Sequence, residues 1–537
     1  MNGTMIIISI FLPVISGLCA AFALKRDLSP LMYRLLVWTS LIGEGVCIFM
    51  AILEGGAVKL FSPLPDIDFL FRIDELSKVF AGLVAVVWLL AGIYACEYMD
   101  HETRKGIFFC FYLMAEGMIA AICFAGNIIT FYMFFELMTV TTFPLVMFDR
   151  TKEAIRAGLK YLFYSIAGAF MTLFGIFMLT PVGILGLFNP GGNLDISMIG
   201  AQGQMFYISV MLILVGLGTK AGMFPMHAWL PAAHPEAPAP ASAVLSGVIT
   251  KTGVFGIIRV IYYCTGTRLI AGTWVHITWM ILTLFTVLMG SMLAYREQVL
   301  KKRLAYSTVS QVSYILFGLS MMNSESFTGA VSHVIFHSLI KTTLFLVAGV
   351  LIHQTGCTRV DEYRGVGRKF PITMWCYTIV SLGLIGIPPL SGFVSKWHLA
   401  TGSLLSGREP YSWIGPVVLL VSALLTAGYL LPITIRGFFP GKEYAAGDHE
   451  VKSVSVHGEP PVEAGDYSKD IYTGDSKNNE GIDNGRGKSI NEKRTHDSGE
   501  NIWMCIPMAI MSAATVMLGV WPSLVTDMIE KIVDMIM

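Results

Sequence analysis

Seven ionisable residues interrupt stretches that are otherwise apolar. Glu136 lies in "NIITFYMFFELMTVTTFPLVMF", Lys220 closes the run "YISVMLILVGLGTKAGMFP", and Lys251 sits in "LSGVITKTGVFGIIRV". His333, His337 and Lys341 share "SHVIFHSLIKTTLFLVAG", and Lys396 follows the prolines of "IPPLSGFVSKWHLA". A charged group at membrane depth costs about 2.5–3.5 kcal/mol even on the mildest scale, so such residues mark ion or proton pathways. Glu136 and Lys220 have opposite sign and similar expected depth, which makes them natural partners. Burial disfavours the charge on such a lysine and the carboxylate favours it, so the pair can load and release a proton as it closes and opens. A static buried pair would hold two helices no better than apolar packing does. His333, His337 and Lys341 are four residues apart, on one helical face and about 6 Å apart along the axis. That exceeds a direct proton hop, and intervening water would make the three a relay.

Glu44, Glu116 and Lys160 are weaker candidates. Glu116 reads either as a second acid or as an interhelical hydrogen bond, and Lys160 as a side chain snorkelling to the membrane boundary. His227 and His234 fall in the proline-crowded "MFPMHAWLPAAHPEAPAPASA" and are candidates for a cytoplasmic proton inlet. The nine cysteines are scattered with no C-x-x-C pair, so neither a metal site nor any other cofactor is expected.

The elements that position these residues are membrane helices. Apolar residues make up 54% of the chain and charged ones 14%, against roughly 25% charged in soluble domains. About fourteen apolar stretches of roughly 18 to 25 residues recur from end to end, each long enough as a helix to cross the hydrocarbon core. The fold class is therefore all-α and polytopic, the first stretch being a retained helix and not a signal peptide. Lys and Arg concentrate in the odd-numbered connections (Arg104, Lys105, Lys301, Lys302, Arg303, Arg368, Lys369). The even-numbered ones hold few, such as Lys59 and Arg268, which predicts cytoplasmic odd loops and both termini on the non-cytoplasmic side of the cell membrane. The seventh stretch runs into Pro225, Pro231, Pro235, Pro238 and Pro240 and the twelfth into Pro388 and Pro389, so both helices should break. They are five spans apart and cross in opposite directions, the arrangement of two inverted five-helix repeats. The expected organisation is N-terminal helices over 1–105, repeats over 106–265 and 266–440, a disordered polar cytoplasmic loop over 441–500, and a last helix over 501–537. "GRGKS" within that loop lacks the first glycine and the strand of a phosphate-binding loop.

Taken together, "FFELMT", "GTKAGMFPMHAWLPAAHPEAPAPASA", "ITKTGVFGIIR", "SHVIFHSLIKTTLFLVAG" and "IPPLSGFVSKW" resemble the antiporter-like membrane subunits shared by respiratory complex I, Mrp-type cation/proton antiporters and energy-converting membrane-bound hydrogenases. The resemblance covers the fourth to thirteenth helices. It implies fourteen helices, and a hydrated mid-membrane chain of charges at Glu136, Lys220, Lys251, His337, Lys341 and Lys396. Lys396 and the short tail after the last helix point to the Mrp D-like or hydrogenase-associated branch. The function expected is proton translocation or cation/proton antiport within a multisubunit antiporter or redox complex. Protons are the expected cargo, with sodium as a candidate second ion. Partner membrane subunits and the bilayer surround the chain, and no nucleic acid is involved. Any redox chemistry would lie in other subunits. The alternative is a self-contained secondary transporter of an organic solute.

Overall fold

The computed structural model describes residues 3–23, 30–64, 67–100, 102–194, 203–440 and 500–537. The expected disordered loop at 441–500 lies outside the described residues except for Glu500. Two helices, α1 (Thr4–Ala23) and α2 (Pro30–Glu54), precede a hairpin of β1 (Ala57–Leu64) and β2 (Ile67–Arg72). Then come α3 (Glu75–Tyr98), α4 (Lys105–Phe124), α5 (Ile128–Val146), α6 (Lys152–Met178) and α7 (Gly203–Ala221). A short helix, Leu230–Glu236, leads into α8 (Ala239–Thr265), α9 (Trp274–Arg296), α10 (Leu300–Ser320) and α11 (Ser324–Thr355). The chain continues through α12 (Pro371–Ile385), α13 (Ser391–Leu404), α14 (Tyr411–Phe438), α15 (Ile502–Val520) and α16 (Ser523–Ile536).

Lipid offers no hydrogen bonds to the backbone, so apolar segments of this length close their own ladders as helices. Side chains finish the helix starts: Asp74, Asn127, Thr151 and Asn323 accept from the backbone N–H of Ser77, Thr130, Ala154 and Ser326. Among the described residues twelve helices are long and apolar enough to cross a membrane. Two of the expected fourteen fall outside that set. Helix α10 begins with Lys301, Lys302 and Arg303, and the twelfth segment is split between α12 and α13.

The hairpin departs from the all-α expectation. Its antiparallel strands pair Ala57 with Arg72, and the prolines of "FSPLPD" mask its alternation. Gly126 donates its backbone N–H to Leu70 O (2.9 Å) and Asn127 its side-chain amide to Asp68 O (2.7 Å), so the hairpin anchors the start of α5. Helix α16 was not expected either. It buries Val525, Ile529, Ile532, Val533 and Ile536, one face of a helix, against α11 and α3.

Helix α8 is buried along its whole length and α11 along most of its own, whereas α6 and α14 turn Phe163, Phe170, Phe177, Leu420 and Leu424 outward. Both expected breaks occur. Helix α7 ends at Ala221 and the chain turns at Gly222, whose φ of +78° favours glycine. Helix α12 ends at Ile385 and turns at Gly386, with φ +95°. A break frees carbonyls that need partners. The Trp229 indole donates to Thr219 O (2.8 Å) at the first break, and Lys396 donates to Leu384 O (2.6 Å) and Ile385 O (3.0 Å) at the second. From the described end of the polar loop, Glu500 accepts the N–H groups of Ile372 (3.0 Å) and Thr373 (2.7 Å), capping α12.

Candidate functional site

Lys220 closes α7 and is buried. Its ammonium donates to Thr139 Oγ1 on α5 (2.8 Å) and to Tyr161 OH (2.9 Å) and Ser165 Oγ (3.0 Å) on α6. It also lies 4.5 Å from the centre of the Tyr161 ring. The expected ion pair with Glu136 is open here: Glu136 is half-buried one turn before Thr139 on α5, and its Oε1 accepts no hydrogen bond. Three hydroxyls from two helices converge on the ammonium in place of the carboxylate. Glycines bring α6 and α7 together: a Cβ at Gly168 would lie 2.7 Å from Gly216 O, and one at Gly216 2.5 Å from Gly168 O.

Lys251 follows a π-helical turn of α8, Leu245–Ile249, and donates to Ser246 O within that turn. Such turns leave backbone groups outside the regular ladder and recur at functional sites. It borders a void of about 10 Å³ between α3, α4 and α8, close to the volume one water needs. On α11 the rings of His333 and His337 stack at 5.7 Å, and His333 Nδ1 shares a 2.8 Å hydrogen bond with Ser395 Oγ on α13. Both nitrogens of His337 are buried without a hydrogen-bond partner. Lys341 donates to Leu304 O of α10 (3.0 Å), and partly buried Lys396 holds the carbonyls at the end of α12. Among the described residues, none of these seven side chains enters an ion pair. Each lysine is held by hydroxyl or carbonyl oxygens instead.

The inlet candidates separate. His227 borders a polar cavity of about 280 Å³ with Lys160, Lys302 and Tyr306. His234, read from the sequence as a loop residue, belongs to the short helix Leu230–Glu236; it is wholly buried and stacks on Phe345 at 4.5 Å. Lys160 is exposed at the rim of that cavity. Glu116 is buried against Glu44, between α2 and α4.

Sequence reasoning missed Thr139, Tyr161 and Ser165, although Tyr161 and Ser165 share a helical face and Thr139 follows Glu136 by three residues. It also missed Lys301, read as a loop charge. Lys301 is buried and donates to Ala237 O (2.9 Å), between the short helix and α8.

Two broken helices, with a row of buried lysines and histidines between them, define a polytopic protein built to move ions. The chain belongs to the NADH:quinone oxidoreductase/Mrp antiporter transmembrane family, whose model matches residues 125–426. Residues 63–109 match a second model, the N-terminus of chain 5 of NADH-ubiquinone oxidoreductase (complex I). The chain is 32% identical over 410 residues to NADH-quinone oxidoreductase subunit N of Desulforudis audaxviator (strain MP104C), covering 73% of this chain and 80% of that one. It is 29% identical to a Na(+)/H(+) antiporter subunit of Bacillus subtilis (strain 168), over 68% of this chain and 72% of the relative. Its fold is similar to a chain of the Mrp complex from Dietzia sp. DQ12-45-1b, with a TM-score of 0.76, 19% identity, and coverage of 100% and 97%.

Proposed function

We propose that this chain is a proton-translocating subunit of a multisubunit membrane complex, moving protons along the row Lys220, Lys251, His333, His337, Lys341 and Lys396. The carrying observation is that, among the described residues, the row's lysines have no carboxylate within ion-pair distance and are held by hydroxyl and carbonyl oxygens. A fixed carboxylate would lock the ammonium in place; hydroxyls can donate as well as accept, so they solvate both forms of the amine. Around the row, Gln311, Ser332, Thr342, Ser381 and Ser391 carry buried polar atoms without partners. An unmade hydrogen bond costs about 1–3 kcal/mol, so such a band is suited to water and a moving proton.

In this reading Glu136 engages Lys220 when the pair closes and withdraws when it opens. The cavity at His227 serves as the inlet from the cytoplasm, with both termini on the other side. Residues 106–265 and 266–440 form two inverted halves, and the like construction of the breaks at Gly222 and Gly386 supports that division. Moving one charge against 100 mV costs about 2.3 kcal/mol, so partner subunits must supply the drive, by redox chemistry or an opposing sodium gradient. The relatives are named as subunits of oxidoreductases and Na(+)/H(+) antiporters, which sets aside the self-contained carrier of an organic solute. The test is Lys220→Met in the intact complex, reconstituted in vesicles with a pH-sensitive dye. Proton translocation should be lost while the subunits still co-purify; unchanged translocation overturns the reading.

A further inference from the structure

Four helices converge on a pair of acids that the row above does not use. Glu44 on α2 and Glu116 on α4 are 0% and 1% exposed, and their carboxyl groups lie close enough to interact with each other. Helix α1 closes the site from one side, because Gly117 lets Ile10 O approach to where a Cβ would lie 2.4 Å away. Of the four carboxyl oxygens, Glu44 Oε1, Glu44 Oε2 and Glu116 Oε2 meet no donor. Among the described residues no Lys, Arg or His forms an ion pair with either acid. The titratable groups that face the pair are Cys47 on α2 and Tyr112 on α4, with Cys96 of α3 behind Tyr112; none is cationic.

Two independent orphans border the same place. Ser40, one turn before Glu44 on the same face, has a buried hydroxyl without a partner. So does the indole N–H of fully buried Trp88 on α3, whose ring packs 5.0 Å from that of Tyr112, one turn before Glu116. Two ionised carboxylates in contact repel, and burying either without a cation is costly. A proton on one of them removes the repulsion and gives it a hydrogen to donate to the other. On α4, Ile119 and Cys123 continue the face of Glu116 and line the small void that Lys251 borders from α8.

We propose that Glu44 and Glu116 form a proton-binding carboxyl pair in the membrane core, holding at least one proton at neutral pH, beside the lysine and histidine row at Lys251. This does not depend on the direction or coupling of transport. The test is infrared difference spectroscopy on the lipid-reconstituted complex, wild type minus the double variant Glu44→Gln/Glu116→Gln, in H2O and in D2O. Glutamine keeps volume and hydrogen bonding, and co-purification of the partner subunits establishes assembly. The expected difference is a protonated-carboxyl C=O band in the wild type that shifts down in D2O and is lost in the double variant, while each single variant keeps a band at a shifted frequency. Carboxylate stretches alone would overturn the proposal and leave an ionised pair holding a cation such as sodium; no difference in either region would overturn it as well. Translocation measured on the same vesicles, with Lys220→Met alongside, keeps a failure of the transport reading separate from a failure of this one.

Discussion

The second break gives a prediction whose size can be worked from distances. Helices α12 and α13 meet where Gly392 faces Gly383, and a Cβ at Gly392 would lie 1.9 Å from Gly383 O and 2.9 Å from its carbonyl carbon. Both are backbone atoms, so no side chain can swing aside. Side-chain Cβ atoms essentially never approach heavy atoms within 3.0 Å, and Gly392→Ala must therefore part the two helices by about 1 Å. Lys396, one turn further along α13, reaches back across the same gap to Leu384 O at 2.6 Å and Ile385 O at 3.0 Å. Opening by about 1 Å puts both contacts beyond about 3.5 Å, where they cease to be hydrogen bonds. Hydrogen bonds to a charged group contribute about 1.5–3 kcal/mol each, so losing the two removes about 3 kcal/mol or more. At about 1.4 kcal/mol per factor of ten, proton translocation should fall by about a hundredfold. The assay is the initial rate of proton uptake by vesicles carrying the assembled complex. Gly45→Ala is the control, since no atom lies within 4 Å of the added Cβ, and it should leave the rate unchanged. An assembled Gly392→Ala complex that pumps at the wild-type rate would refute the assignment of Lys396 to the pathway.

At the other break, Trp229→Phe removes the 2.8 Å indole donor from Thr219 O, which keeps the Gly222 N–H at 3.1 Å, so the loss should cost about 0.5–1.5 kcal/mol and lower the Tm of the purified protein; an unchanged Tm would sink that account of the break. Thr139→Val and Tyr161→Phe each remove one of the three hydroxyls on Lys220, and each should slow translocation at least about tenfold while Lys220→Met abolishes it; full rates in both would show that the hydroxyls do not tune the lysine. Asp74 caps α3 and accepts two hydrogen bonds, at 2.5 and 2.9 Å, from fully buried Arg259, so Asp74→Asn should cost about 3–5 kcal/mol by stranding that guanidinium. Burial pushes the Asp74 carboxyl up, but Arg259 and Ser77 outweigh it and hold it below the usual carboxylate range. A carboxyl depressed in the folded state stabilises above its unfolded pKa and loses that contribution as pH falls through the folded value. The gap in Tm between wild type and Asp74→Asn should therefore narrow below about pH 4, and a gap that widened there would refute the pairing.

Much of this was legible because two signals are coarse and strong. Apolar length fixes the spans, and an ionisable residue within one stands out against its neighbours, which is why Lys220, Lys251, His337 and Lys341 could be named before any geometry. Proline fixed the breaks, though not which glycine turns the chain or which donor takes the freed carbonyls. Pairing was the illegible part. Lys220 turns to hydroxyls on two helices and not to Glu136, and nothing in the local sequence distinguishes those from the other Ser and Thr residues of the bundle. Glu44 lies 72 residues before Glu116, and their contact exists only because α2 crosses α4. The π-turn beside Lys251 was hidden as well, since its residues are those of an ordinary helix.

The two breaks solve one electrostatic problem in different ways. A helix that ends inside the membrane exposes carbonyls and the negative end of its dipole, which favours a cation without committing a full negative charge to it. At the end of α12 the lysine itself takes the carbonyls, so its charge is held by the break directly. At the end of α7 Trp229 takes Thr219 O, and Lys220 is left to Thr139, Tyr161 and Ser165 with Glu136 one turn away. Lys220 can thus change partners between hydroxyls and a carboxylate without disturbing the helix end, whereas Lys396 cannot leave its carbonyls without unsealing one. Within the proposed pathway, that asymmetry suits Lys220 to exchanging partners and Lys396 to staying in place.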